Sequence, residues 1–73
     1  MPTYRLAFRD QPANLLERLK PALVSQGDPA IYVVQVDDVV VFTGGGASAF
    51  LLQARAAEAL TDVWPEWRHR LAQ

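Results

Sequence analysis

Seventy-three residues carrying a formal charge of −1 and no cysteine make one domain, residues 1–73, which buries only about 60% of the surface its unfolded chain exposes. Disulfides and thiolate-ligated zinc cannot staple it, and its near-neutral charge offers no global field to phosphate backbones, so a nucleic-acid partner is not expected. The hydrophobic fraction of 51% is high for so small a domain and points to apolar surface that a second copy covers.

Thr3 to Arg9 alternates, with Tyr4, Leu6 and Phe8 on one face and Arg5, Ala7 and Arg9 on the other, the period of a half-buried strand. Asp10, Gln11 and Pro12 then mark a helix start, the polar side chains as caps and the proline as the first helical residue. Leu15, Leu19 and Leu23 recur every fourth residue and form an apolar stripe with Leu16 and Ala22 beside it. Pro21 interrupts that helix, because its ring opposes the Glu17 carbonyl, and a kink or restart is expected there. Gly27, Asp28 and Pro29 supply a C-cap and turn.

Ile31 to Val36 and Val39 to Thr43 are rich in β-branched residues and are separated by Asp37-Asp38, which suits a two-residue hairpin. That pairing sets Val36 opposite Val39, Gln35 opposite Val40, Val34 opposite Val41 and Val33 opposite Phe42. One face then collects Val34, Val36, Val39 and Val41, and the other Ile31, Val33, Val40 and Phe42 around Gln35, so both faces are apolar and need cover. The competing reading is one long bent strand bulged at the aspartates.

Gly44, Gly45 and Gly46 lead into Ala47 to Leu60, which lacks Gly and Pro and is dense in strong helix formers. Leu52, Ala56, Leu60 and Val63 make one stripe, Phe50, Ala54 and Ala57 a second, and Pro65 ends the helix near Thr61 or Asp62. A short second helix starts at Pro65, with Trp64, Trp67 and Leu71 on one face. The order β-α-β-β-α fits an α+β, two-layer domain with a small three-stranded mixed sheet, in a dimer.

Candidate chemistry is sparse. A strand, a glycine loop and a helix N-terminus present unpaired N–H groups to an anion, so Gly44, Gly45, Gly46 and Ser48 form an anion-binding candidate. The loop matches neither G-x-x-x-x-G-K-[ST] nor G-x-G-x-x-G, and a flexible strand-to-helix connection capped by Ser48 or by a glycine is the simpler account. Trp64, Trp67, Arg68 and Arg70 form a candidate interaction surface, since Trp and Arg dominate interface hot spots; the alternative is that the tryptophans complete the core. Trp67 continues the Leu60 and Val63 stripe and is read as buried, Trp64 as partly exposed. His69 sits between Arg68 and Arg70 as a solvated cap, Ser25 and Ser48 have no base at a suggestive spacing, and Asp37-Asp38 lacks further oxygen ligands, so no catalytic residue, metal or cofactor is assigned.

Met1-Pro2 followed by a strand and a helix resembles the 4-oxalocrotonate tautomerase family over the first third of the chain. That resemblance implies Pro2 as a general base after methionine removal, with Arg5 and Arg9 as the accompanying positions; the long helix and the Pro-Glu segment that follow depart from the family. No apolar run approaches the roughly 20 residues that span a bilayer. The expectation is a cytoplasmic, non-catalytic interaction or regulatory protein acting as a homodimer, with a small-anion binder and an N-terminal-proline tautomerase as alternatives.

Overall fold

The computed structural model describes residues 2–25, 31–44 and 48–72. Three strands, β1 (Thr3–Ala7), β2 (Ile31–Val36) and β3 (Val39–Gly44), and two helices, α1 (Leu15–Ser25) and α2 (Ala49–Val63), follow one another as β1-α1-β2-β3-α2, and a 3-10 turn at Trp67–Arg70 closes the chain. The fold class is α+β, but the sheet is not mixed. Its order is β1-β3-β2 and both pairings are antiparallel. β1 lies against β3, so β1 and β2 run parallel without touching.

The hairpin forms in the register its two-residue turn dictates, Val36 against Val39 through Val33 against Phe42, and the long bulged strand is excluded. Asp37 takes a positive φ of 53°, which a right-twisted hairpin requires at the first turn position and which Asp tolerates better than most residues. Its carbonyl accepts from Gln11 Nε2 at 3.2 Å and Gln35 Nε2 at 3.1 Å. Gln35 therefore spends its amide at the rim of the core face, and Gln11 latches the loop after β1 onto the hairpin.

That latch corrects the expected helix start. Gln11 points at the hairpin, Asp10 lies at φ 53° with its carboxylate 3.6 Å from Arg70, and α1 begins only at Leu15, after a turn in which the Leu15 N–H donates to Pro12 O. Pro21 is accommodated without a break. It and Glu17, whose carbonyl faces the ring instead of an N–H, both lie on the exposed side, where the carbonyl is open to solvent. Gly27, Asp28 and Pro29 lie outside the described residues.

Leu15, Leu19 and Leu23 of α1 and Leu52, Ala56, Ala59 and Leu60 of α2 join Leu6, Phe8, Ile31, Val33, Val40 and Phe42 in one buried cluster. Of the second expected stripe of α2 only Ala57 packs, in part, against this cluster. Phe50 is 77% exposed and Ala54 faces solvent, because two residues either side of Leu52 lie roughly 200° around the helix from it; Ala59 takes the inner place. The helix runs past the expected end to Val63, where Trp64 leaves helical geometry ahead of Pro65 with φ −153°.

The C-terminal segment then returns to β1. Phe8 and Leu71 form an antiparallel bridge, with Arg9 N–H donating to Arg70 O at 2.7 Å and Ala72 N–H to Ala7 O at 2.8 Å. This covers the upper part of the β1 edge that faces away from β3.

Candidate functional site

The Gly-loop candidate is only partly within the described residues, since Gly45 and Gly46 lie outside them. Gly44 ends β3 with a positive φ of 96° and donates its N–H to Pro2 O at 3.5 Å. Ser48 is the N-cap of α2, as a strand-to-helix connection requires: its Oγ accepts from Leu51 N at 3.3 Å, and its carbonyl accepts from Leu52 N at 3.0 Å.

The C-terminal candidate divides into an inside and an outside. Trp67 is buried as expected, whereas Trp64, expected to be partly exposed, is buried too, at 6% against 4%. The reason is Phe8, whose ring meets Trp64 edge-on at 5.2 Å and Trp67 at 6.5 Å, a socket made by a residue far away in sequence. Trp67 Nε1 donates to Thr61 Oγ1 at 3.1 Å, and that hydroxyl donates on to Ala57 O at 2.8 Å. The outer part of the segment is cationic. Arg68 lays its guanidinium 4.3 Å over the Trp67 ring, Arg70 faces Asp10, and Arg9 Nη2 donates to His69 O at 3.2 Å. Arg68 also lines a shallow groove of about 440 Å³ with Ala57, Glu58, Thr61 and Asp62.

The tautomerase positions are not brought together. Pro2 sits at one end of β1, where its carbonyl accepts from Gly44 N–H and Thr43 Oγ1. Arg9 lies beyond the other end, roughly 23 Å along an extended chain, and Arg5 pairs with Val41 on the far sheet face. Among the described residues no three His, Asp or Glu side chains gather as a metal site. Gln11 Oε1 is buried without a hydrogen-bond partner.

The feature that sequence reasoning anticipated only in outline is the sheet face turned away from the helices. Tyr32, Val34 and Val36 are 65%, 49% and 65% exposed there, and cross-strand pairing places the half-buried Val39 and Val41 beside them. The hairpin register already put four of these valines on one face; what it could not show is that both helices choose the other. A groove of about 340 Å³, lined by Lys20, Leu23, Val24 and Ile31 through Val34, runs where β2 meets α1.

Comparison with known protein families, with curated proteins and with solved structures finds no match. No helix among the described residues is long and apolar enough to cross a membrane.

Proposed function

We propose that this chain is a small non-catalytic interaction or regulatory protein of the cytoplasm, a two-layer domain that works as a homodimer through its open sheet. The observation that carries the reading is the row Tyr32, Val34 and Val36, a β-branched and aromatic patch on the face the helices leave bare. Contiguous exposed apolar surface of this kind marks an interaction site. A chain without disulfides gains most from covering it, because its own core is small. Light scattering after size exclusion is expected to return at least twice the 8.1 kDa chain mass; a monomer persisting at high micromolar concentration with normal stability overturns the proposal.

A second reading, a small-anion or phosphate-ligand site at Gly44 to Ser48, is supported by one arrangement: β3 ends at Gly44 with a positive φ, and α2 begins at a Ser48 cap that takes the Leu51 N–H, so that the positive end of the helix dipole lies at this loop. Phosphate and sulfate are then expected to raise the melting temperature of the unmodified chain. No shift with either removes this reading.

A further inference from the structure

The two edges of the sheet are treated differently. On β1 the C-terminal segment takes the outward Ala7 carbonyl and Arg9 N–H, whereas β2 has no neighbour on its outer side among the described residues. Among the described residues β2 also lacks the charge, proline and bulge that commonly blunt an edge. Ile31-Tyr32-Val33-Val34-Gln35-Val36 contains no charge and no proline, and its pairing to β3 runs in register along all six residues without a bulge.

The direction of its backbone groups follows from the ladder. Phe8 N–H donates to Asp38 O, and Gly44 N–H donates to Pro2 O, so the even-numbered residues of β3 address β1 and Val39, Val41 and Thr43 address β2. Their partners Val36, Val34 and Tyr32 therefore turn inward, and Ile31, Val33 and Gln35 present N–H and C=O outward.

We infer that this edge pairs antiparallel with the β2 of a second copy, about a two-fold axis perpendicular to the sheet at Val33, making one continuous six-stranded sheet. The inference rests on the homodimer reading above but moves its contact from the open face to the adjoining β2 edge, where Tyr32 and Val34 gain cover only from their neighbours across the new strand pair. The register is set by matching outward groups: Val33 faces the partner's Val33, and Ile31 faces the partner's Gln35, giving about six new hydrogen bonds. A shift of two residues either way forfeits some of them. Cross-strand partners share a face, so Tyr32 lands beside the partner's Val34 on the open side. The occupant that suits an uncharged, β-branched edge is another uncharged, β-branched strand, and this chain supplies one with matching hydrogen-bond phase. The axis also keeps both α1 helices on the same side and draws the groove of Lys20, Leu23 and Val24 towards its symmetry mate. That added contact matters, because a standard interface takes about 800 Å² per partner, roughly 18% of the 4493 Å² this chain exposes.

The test exploits the absence of cysteine. Tyr32 and Val34 are both exposed, so Tyr32→Cys and Val34→Cys are expected to fold, which a melting curve checks. Facing residues in a non-hydrogen-bonded pair stand about 4.5 Å apart at Cα, within disulfide reach. Under mild oxidation an equal mixture of the two variants is expected to yield a covalent species of doubled mass, and either variant alone to yield little. Crosslinking in one variant alone indicates a shifted register, and no crosslinking while scattering still shows a dimer indicates a different interface; either overturns this inference and leaves the homodimer standing. A monomeric unmodified chain overturns both.

Discussion

Trp67→Ala is expected to remove 3–5 kcal/mol of stability, about what truncating a buried aromatic costs when its surroundings relax only partly. The side chain is 4% exposed, packs edge-on against Phe8 and donates its indole N–H to Thr61 Oγ1 at 3.1 Å. The aromatic contact adds about 0.5–1.5 kcal/mol beyond area, and the hydrogen bond about 1 kcal/mol net. Against this stands a total stability of about 4–11 kcal/mol for a domain of this length, so the variant is expected to be marginal or unfolded at 25 °C. Trp67→Phe separates the contributions: it keeps a ring against Phe8, loses the N–H, and is expected to cost about 1–2 kcal/mol. Urea unfolding followed by far-ultraviolet circular dichroism measures both. A loss under 1 kcal/mol for Trp67→Ala would refute the placement of this ring in the core.

Ser48→Ala removes the N-cap of α2 and is expected to cost about 1 kcal/mol, read as a lower urea midpoint with unchanged slope; no change would mean that the Leu51 N–H has another acceptor. Asp37→Gly replaces a side chain held at φ 53° with the residue a first turn position prefers. Its melting temperature is expected to stay level or rise, since relief of the left-handed cost of about 1–2 kcal/mol outweighs the added chain entropy. A marked fall would show that the Asp37 side chain contributes to the hairpin.

What the sequence made legible was local. The hairpin register followed from two residues between two β-branched runs, since such a turn leaves one pairing, and the Leu15, Leu19 and Leu23 stripe and the Ser48 cap followed from helical spacing. Strand order was not legible, because β1 could have joined either edge of the hairpin and the choice of β3 is made by distant packing. Trp64 was misplaced for the same reason: its socket is Phe8, which no periodicity near residue 64 can show. Phe50 went wrong through phase, since two stripes were read where the sheet admits a single arc centred on Leu52, Ala56 and Ala59. The open face of Tyr32, Val34 and Val36 lay between these cases, its membership readable and its exposure not.

The contact of Leu71 with Phe8 ties the order of synthesis to the order of folding. A hairpin such as β2-β3 closes in about 1–10 μs, so it can form as soon as its residues are free. Phe8 precedes Trp64 and Trp67 by more than fifty residues and lacks their cover until they arrive, which at translation rates of about 5–20 residues per second is a wait of seconds. For that interval a nascent chain displays an aromatic ring and an unsealed β1 margin. The arrival of Trp64, Trp67 and Leu71 is therefore what ends that vulnerability to stray association.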